Sequence, residues 1–558
     1  MLISQAFGCS DSWLTFATPL VLGLLCGTIT LTLVLIARER LRQASLWNLP
    51  GPPSVSIITG NFTQMFSYDA HSFHHHIRRT YGRVIRVTGF LGETHLLISD
   101  CKAITSMLER EYGAFDNPEW LMASNRRNYG PGLIGMSGAH HRKQRKLLNP
   151  VFSTQNMRSL TPLFCKVTRQ LETTLQRLVF DGPQEINLLM WLERLSLELI
   201  AQGGLGYTFD SLKPDRKEDE FEMAIKEYMP TVASLHAFRT LAHLVPNWPP
   251  SLLRFLGKLL PIPMLHKLMK ISAVIDKNMT AIFDEKKALL DGADAEFTHQ
   301  LGEGKDLISV LMRQNLTASE EDRLPEAEIK GQMASFVFAA TGGTSSAVAR
   351  VLLLLSEHQD VQDRLRQEIY EAQQVSGEDE LEHDKLDKLP LLEAVCKETL
   401  RVYPPAVYIP KFCREDITIP LAHPVQTSDG LTSSLFVPRG TNVLVNAAGQ
   451  NLDPSVWGAD AEEWKPDRFL SPLPGSVMEM HVPGIYPNIL TFGAGARACI
   501  GYKFAVLETK VAVMHVVRSF RLSPAKTEVV WRFGGISTPS TQGSNEVGAS
   551  MPLVLERI

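Results

Sequence analysis

Cysteine is scarce in this chain of 558 residues, and its spacing excludes several classes of protein. The seven cysteines lie far apart and include no C-x-x-C pair. A disulfide framework in a small secreted domain needs a dense, even set of cysteines, and a zinc finger needs paired ligands. The cysteine pattern therefore predicts a body that faces a reducing compartment.

A basic excess is also lacking. Lysine and arginine number 56 against 60 aspartates and glutamates, which gives a formal net charge of −4. Domains that bind nucleic acid usually carry a positive excess, so no nucleic-acid partner is predicted. No repeat, low-complexity segment or internal linker follows the first fifty residues, which favours one large folded body.

The first fifty residues contain a long run without charge. No charged residue occurs from Ser12 to Ala37, and about 20 apolar residues suffice for a helix to span a bilayer. Arg38, Arg40 and Arg42 follow the run, so the positive-inside rule places the N-terminus outside the cytosol and the body inside it. A cleaved signal peptide is the competing interpretation, but it needs a basic start and a small-residue cleavage site.

These features predict four segments along the chain. They are a lumenal N-terminus at 1–12, a transmembrane anchor at 13–37, a basic and proline-rich linker at 38–53, and a large body at 54–558. The linker contains Pro50, Pro52 and Pro53, and proline fixes φ and removes a backbone donor. We therefore expect a stiff, extended spacer between the membrane and the body.

Helical patterns dominate the body, and strand-like runs are short. This balance predicts a mainly α (α+β) fold, with a helix-rich body and small peripheral β-sheets, rather than an alternating βαβ fold. The predicted helices are Gln155–Leu178, Glu185–Gly203, Ala273–Leu290, Pro325–Glu357, Val361–Val375 and Leu391–Val402. The predicted strands are Val84–Val87, His95–Ile98, Ile417–Pro420, Leu435–Pro438 and Asn442–Asn446. The run His74-His75-His76 is predicted to lie on an exposed helix face.

The strongest local pattern is Phe492-Gly493-Ala494-Gly495-Ala496-Arg497-Ala498-Cys499-Ile500-Gly501. Its three glycines permit positive φ and close backbone approach to a flat group. Cys499 comes just before an apolar helical run, where free N–H groups and the helix dipole favour a thiolate. The alternatives are a buried cysteine in a glycine-rich turn and half of a dinucleotide fingerprint, which here lacks its third glycine and βαβ setting.

These ten residues fit F-x-x-G-x-R-x-C-x-G, and the chain resembles the cytochrome P450 family, in particular its membrane-bound fungal members. The resemblance implies a haem cofactor with Cys499 as the axial thiolate, which donates electron density to the iron and favours O–O cleavage. It implies that Arg497 pairs with a haem propionate and that Phe492 belongs to the haem-binding loop. The segment 54–558 would then be a haem-thiolate catalytic domain.

Further segments fit the family in the family's order. Glu398 and Arg401 form its E-x-x-R motif, and Arg468 lies in the later P-x-R-F segment. Glu398 and Arg401 are three residues apart and therefore share a helix face. The alternative is that they form only a surface ion pair, which would stabilise the fold by less than about 1 kcal/mol. The resemblance implies a structural role, in which these three residues lock the surroundings of the cysteine loop.

The basic segment Gly138–Lys146 supplies two more candidate haem contacts. His141 and Arg145 lie one helical turn apart and could both reach a propionate. The alternatives are a solvated basic face and a docking patch for an electron donor. Lys411 stands where relatives commonly carry arginine, so the resemblance makes it a further candidate for a haem propionate, although a lysine cannot form the fork that an arginine forms.

The long helix Pro325–Glu357 departs from the family. Relatives carry A/G-G-x-D/E-T-T there, and the acid and alcohol deliver protons to oxygen. Gly342 replaces the acid, Gly343 replaces the first threonine and Thr344 matches the second. Two glycines inside a helix cost about 0.8–1 kcal/mol each, so we expect a loosened or bulged helix. A bulge could turn Thr344 or Thr341 towards the oxygen; otherwise substrate hydroxyls and water carry the protons, or the chemistry differs.

The resemblance implies a monooxygenase that receives electrons from NADPH through a separate NADPH-cytochrome reductase, because the chain has no flavin or nicotinamide module. It also implies an endoplasmic reticulum membrane location.

We expect a lipophilic substrate, such as a terpenoid or polyketide intermediate of fungal secondary metabolism. The alternatives are peroxide-driven oxidation, an isomerase or a dehydratase on the same fold, and a non-catalytic haem protein. The segments expected to contact substrate are Tyr112–Gly135, Tyr228–Leu260, the Phe338–Thr344 face and Ala406–Ile409, with Trp120, Phe238 and Tyr408 as bulky members.

Overall fold

The computed structural model describes residues 40–214, 216, 217, 219–235, 245, 248–291, 304–543 and 548–558, together with 26, 27, 30, 31, 34, 37 and 38. The predicted lumenal segment and most of the predicted anchor lie outside these residues, as does Phe238. Helices make up most of the described body, as predicted.

The helices are α1 (Phe62–Met65), α2 (Ala70–Tyr81), α3 (Cys101–Thr105), α4 (Glu119–Tyr129), α5 (Gly138–Leu148), α6 (Thr154–Leu178), α7 (Leu188–Leu199), α8 (Glu220–Ser234), α9 (Pro250–Leu259), α10 (Pro263–Asp291), α11 (Leu307–Thr317), α12 (Glu326–Glu357), α13 (Gln359–Ser376), α14 (His383–Leu386), α15 (Pro390–Val402), α16 (Ala447–Asn451), α17 (Pro454–Trp457), α18 (Gly475–Glu479) and α19 (Tyr502–Ser519). Short 3-10 and π turns join several of them.

The strands form small sheets at the edge of the helical body. They are β1 (Val84–Thr88), β2 (Thr94–Ile98), β3 (Phe115–Asp116), β4 (Gln184–Asn187), β5 (Tyr408–Cys413), β6 (Ile417–Thr427), β7 (Gly430–Val437), β8 (Asn442–Asn446), β9 (Phe520–Pro524), β10 (Val529–Phe533), β11 (Ser537–Thr541) and β12 (Pro552–Arg557). The largest sheet has the order β1-β2-β8-β5-β3, and β4-β12-β9, β6-β7 and β10-β11 form the others.

Helix α12 is the central element of the body. It packs against α7 and α19, and Val348, Leu352 and Val513 are fully buried in the cluster that they share. Burying one such side chain stabilises the fold by about 1.5–3 kcal/mol. Within the described residues, α12 is the helix that is long and apolar enough to cross a membrane, but it is mostly buried, as a core helix is.

Three predicted elements need correction. The segment predicted as a helix from Glu185 begins as strand β4, because Gln184–Asn187 pairs antiparallel with β12 near the end of the chain. Helix α10 starts at Pro263, ten residues before the predicted Ala273. His74 is buried and its Nε2 donates to the carbonyl of Met65 over 2.8 Å, so only the following two histidines lie on an exposed face.

Candidate active site

The cysteine loop owes its shape to two glycines. Gly493 and Gly495 have φ of 71° and 65°, in the left-handed region that favours glycine. A Cβ at Gly495 would lie 1.9 Å from the carbonyl oxygen of Leu108, so no side chain fits there. Gly501 has φ of −89°, so this third glycine does not use the positive φ that its lack of a side chain permits.

Cys499 lies three residues before α19, and its side chain is accessible although protein atoms surround it. Its backbone N–H donates to the carbonyl of Phe492 over 2.8 Å, which closes the loop. Burial among protein atoms raises the pKa of the Cys499 thiol, while the N–H of Gly501 and the positive charge of Arg145 act in the opposite direction. The sulfur is therefore held beside groups that stabilise a thiolate.

Four basic side chains from three parts of the chain gather around this loop. Arg145 on α5 donates to the carbonyl of Ala498 over 2.6 Å. Burial, together with the charges of Arg497 and Arg145, lowers the pKa of His141 to about 3. Burial, followed by the charge of Arg497, lowers the pKa of Lys411 to about 8. These shifts show that the predicted contacts lie close enough to repel one another.

One carboxylate balances part of this positive charge. Asp116 at the end of β3 accepts from Arg497 Nη2 over 2.7 Å and lies 2.8 Å from Arg414 Nη2. Burial alone would raise the pKa of Asp116, but Arg497, the N–H of Asn117 and Arg414 outweigh it and hold the pKa below its usual range. Arg497 also donates to the carbonyl of Met136 over 2.8 Å.

The E-x-x-R pair is buried, which rules out the surface ion pair. The side chains of Glu398 and Arg401 are 0% exposed, and Arg401 Nε and Nη2 donate to the two carboxylate oxygens over 2.7 and 2.8 Å. Arg468 Nε lies 3.3 Å from Glu398 Oε1, so the predicted trio does come together. Arg401 also donates to the carbonyls of Asn451 and Ala461.

Asn451 connects this trio to the cysteine loop. Its carbonyl accepts from Arg401, its Oδ1 accepts from the N–H of Leu490 over 2.8 Å, and its Nδ2 donates to Thr491. Thr491 donates in turn to the carbonyl of Leu400 over 2.6 Å. Phe492 follows at once along the chain, and its ring packs between Tyr486 and Tyr502. The buried ion pair is therefore two hydrogen bonds away from the start of the loop.

Helix α12 stays α-helical through Gly342 and Gly343, so the predicted bulge was wrong. The buried residues on both sides of the glycines hold the helix, and Ser345 Oγ donates to the carbonyl of Thr341 over 2.8 Å. A Cβ on Gly343 would meet no protein atom within 4 Å, and one on Gly342 would meet only Ile536 at 3.9 Å. The glycines therefore leave open space on this face without distorting the helix.

Helical geometry decides which hydroxyl shares the glycine face. Thr344 is rotated about 100° from Gly343, and Thr341 is rotated about 160°. Ser346 is rotated only about 60° from Gly343 and about 40° from Gly342. An undistorted α12 therefore places Ser346, which the sequence interpretation did not consider, closer to that face than either predicted threonine.

Aromatic rings lie along α12, one turn before Gly342. The ring of Phe338 is 4.8 Å from Tyr129 on α4 and 4.2 Å from Tyr228 on α8, measured between centroids. All three lie in segments that were expected to contact substrate. Phe338 and Tyr228 are buried and Tyr129 is half-buried, so the cluster forms an apolar wall beside α12.

The family model for cytochrome P450 matches residues 50–543. The chain belongs to the cytochrome P450 family. It is 40% identical over 537 residues to cytochrome P450 monooxygenase 91 of Postia placenta, covering 96% of this chain and 98% of that protein. It is 37% identical over 513 residues to a ganoderic acid synthetase of Ganoderma lucidum, covering 91% and 93%. It is 36% identical over 547 residues to the cytochrome P450 monooxygenase eriI of Hericium erinaceus, covering 93% and 96%. The chain is thus a cytochrome P450 monooxygenase, as its cysteine loop indicated.

The residues of this cytochrome P450 fit the haem that the family implies. A haem presents an iron that takes a thiolate and two propionates that need cations or hydrogen-bond donors. The Cys499 side chain is accessible, and His141, Arg145, Lys411 and Arg497 lie near its loop with Asp116 as their nearby carboxylate. The site therefore offers a thiol to the iron, and its cations outnumber Asp116, which leaves positive charge for the two haem propionates.

Sequence reasoning about the cytochrome P450 missed the contacts that fix α5 against α12. Gln144 on α5 donates to Glu328 over 2.7 Å and accepts from Gln332 Nε2 over 3.1 Å. Ahead of α5, a Cβ at Gly132 would lie 2.4 Å from the carbonyl oxygen of Gly331, so two backbones touch there. The only local signal was a glutamine among basic residues, and its partners lie more than 180 residues away.

Proposed function

We propose that this cytochrome P450 hydroxylates or otherwise oxidises a lipophilic small molecule, a terpenoid or polyketide intermediate of fungal secondary metabolism. The observation that carries the proposal is the Cys499 loop with its cluster of cations. The aromatic rings beside α12 support an apolar substrate. The ganoderic acid synthetase and eriI, both similar over most of the chain, support secondary metabolism.

The roles of the site residues follow from their contacts. Haem supplies the activation of dioxygen when it is bound. Cys499 would ligate the iron, while Arg145, Arg497, His141 and Lys411 would bind the propionates. Phe492 supports the loop from inside, and Glu398, Arg401 and Arg468 hold its entry through Asn451.

Proton delivery uses water in the space beside Gly343, with Thr344 and Thr341 as the hydroxyls at the family's positions. The open space at Gly343 supports this route, because a Cβ there would meet no protein atom. The test measures the amount of product formed per NADPH consumed, and it compares the wild type with Thr344→Ala, Thr341→Ala and Ser346→Ala. A fall confined to Ser346→Ala, or an unchanged yield in Thr344→Ala, would exclude Thr344 from the route.

The cellular setting completes the proposal. Residues 13–37 anchor the protein in the endoplasmic reticulum membrane, 1–12 lie in the lumen, and 38–53 link the anchor to a catalytic domain, 54–558, on the cytosolic side. Electrons come from NADPH through a separate reductase. The uncharged run before Arg38 supports the anchor and its orientation.

The full-length protein in microsomes, with and without a reductase, tests the function. Extracts of the source fungus before and after deletion of the gene supply the substrate, since the compound that accumulates is the one to add. We expect its consumption to require NADPH, reductase and dioxygen together. The second candidate function is peroxide-driven oxidation, or an isomerase or dehydratase reaction, on the same fold, and the absence of an acid at Gly342 motivates it. Turnover with peroxide alone, or without any oxidant, would favour this second candidate.

A further inference from the structure

A second cavity, of about 350 Å³, lies between α2, the C-terminal half of α12 and the β10–β11 hairpin. Most of its lining is apolar, and its polar side chains include Arg350, Trp531, Ser346 and Ser537. A cavity of this size and character is in the range that small molecules occupy. None of the haem contacts proposed above belongs to its lining.

Two arginines line this cavity, and of these Arg78 is paired with Glu462 whereas Arg350 is not. The guanidinium carbon of Arg350 lies 3.4 Å from the ring centroid of Trp531 and 4.2 Å from that of Tyr403. Stacking on aromatic rings leaves the N–H groups at the guanidinium edge free to bind a partner in the plane. Within the described residues Arg350 forms no ion pair, and burial lowers its pKa to about 9 although Tyr403 and Glu357 oppose this.

Two buried N–H donors in this lining find no acceptor among the described residues. They are Nε of Arg350 and Nε1 of Trp531, and both groups can only donate. An unsatisfied buried donor costs about 1–3 kcal/mol, and a charged one costs more. The cavity therefore offers a cation and two donors to a ligand that brings acceptors and negative charge.

The cavity and the glycine face of α12 share the same neighbours. Ser346 lines the cavity and lies one helical turn after Gly342, and Arg350 follows one turn later. Ile536 faces Gly342, while its neighbour Ser537 lines the cavity. A molecule bound at Arg350 could therefore extend its apolar part along α12 towards the two glycines.

We infer that this cavity binds the carboxylate of a lipophilic carboxylic acid, with Arg350 as the ion-pair partner and Trp531 as a second donor. A carboxylate suits a single guanidinium fork, and the apolar lining suits the hydrocarbon part. A phosphate would need more positive charge, but Glu462 already balances Arg78, and burial and Arg350 lower the pKa of the neighbouring His71. The acid is either the substrate itself, which rests on the proposed function, or a separate molecule.

Calorimetric titration of the purified, haem-loaded full-length enzyme with decanoate and with 1-decanol tests the inference. Decanoate is expected to bind the wild type, and Arg350→Met is expected to raise its Kd about tenfold or more, because a charge-assisted pair is lost. The Kd of 1-decanol should stay unchanged. Arg364→Met, which removes an exposed arginine from α13, is the matched control and should leave both values unchanged.

A second variant keeps the test decisive if Arg350→Met fails to fold, as judged by its reduced carbon monoxide spectrum. Trp531→Phe keeps a ring under Arg350 but removes the Nε1 donor, and it should weaken decanoate binding severalfold. Absence of decanoate binding to the wild type, or an unchanged Kd in both variants, would overturn the inference. A haem spin shift with decanoate identifies the acid as a substrate, whereas binding without a shift identifies a separate ligand; either result supports the site.

Discussion

Asn451 Nδ2 donates to Thr491 Oγ1 over 3.0 Å, and this bond joins the buried Glu398–Arg401 pair to the segment that enters the cysteine loop. Asn451 is fully buried, and it bonds to both Leu490 and Thr491. Asn451 is therefore the residue through which a distant ion pair reaches the segment that precedes the Cys499 loop.

Asn451→Ala should loosen that loop. The change leaves the N–H of Leu490 without its acceptor, and a buried unsatisfied group costs about 1–3 kcal/mol. We expect a lower Tm, lower haem content and a smaller thiolate fraction in the reduced carbon monoxide spectrum. Asn278→Ala, which removes a bond within α10, serves as the control and should change none of these. A normal spectrum in Asn451→Ala would show that the loop holds its shape alone.

Glu398→Ala should destabilise the whole body. It leaves Arg401 as an uncompensated buried charge, and breaking such a pair from one side costs about 3–5 kcal/mol. Chemical denaturation of the membrane-free protein measures the loss. Asp467→Asn removes one partner of the exposed pair with Arg364, so it should leave the denaturation midpoint almost unchanged. Equal midpoints for the two variants would contradict the assigned role.

Gly343→Ala should raise the Tm and lower turnover. Alanine is favoured over glycine by about 0.8–1 kcal/mol inside a helix, and the added methyl meets no protein atom. The same methyl fills space on the face that we assign to water and substrate. Gly132→Ala is the matched control, because its methyl would meet the Gly331 carbonyl, and it should lower the Tm. A fall in Tm for Gly343→Ala would mean that packing, not open space, requires this glycine.

Glu508 on α19 should make stability depend on pH. Burial raises its pKa to about 8, although a hydrogen bond from Ser196 opposes the shift. The folded state therefore holds this proton more tightly than the unfolded state. The stabilisation contributed by protonated Glu508 is fully present below the ordinary glutamate pKa of 4.5, and it declines as the pH rises to about 8. Glu508→Gln should flatten the decline, so its Tm should exceed the wild type's at pH 8 and converge with it near pH 5. Parallel curves for the two proteins would refute the assignment.

Local motifs predicted the centre of the site. The cysteine loop and the E-x-x-R pair are each contained in ten residues or fewer, so they could be recognised in the sequence, and the family resemblance then implied a thiolate ligand and the trio with Arg468. Asp116 could not be predicted in this way, because it meets Arg497 from 381 positions away. Gln144 and Asn451 were missed for the same reason, since their partners come together only through tertiary packing.

The helix around Gly342 and Gly343 shows the limit of propensity. Glycine propensity predicted a bulge, but the buried neighbours on both sides of the pair outweigh the cost of two glycines. Strand β4 shows the same limit, because its pairing with β12 at the far end of the chain decides its conformation. Helices with a continuous apolar face, such as α6 and α15, were predicted to within one residue at each end.

The contact between Gly132 and Gly331 has a consequence for how this chain can evolve. Each glycine leaves room for the other's backbone, so a side chain at either position would collide with the backbone of the other segment. Neither position can drift alone, and a replacement at one requires α12 and the loop before α5 to separate. Descendants of this sequence are therefore expected to keep both glycines or to change both together, with a shift of α5 and of the His141 and Arg145 that we propose as haem contacts.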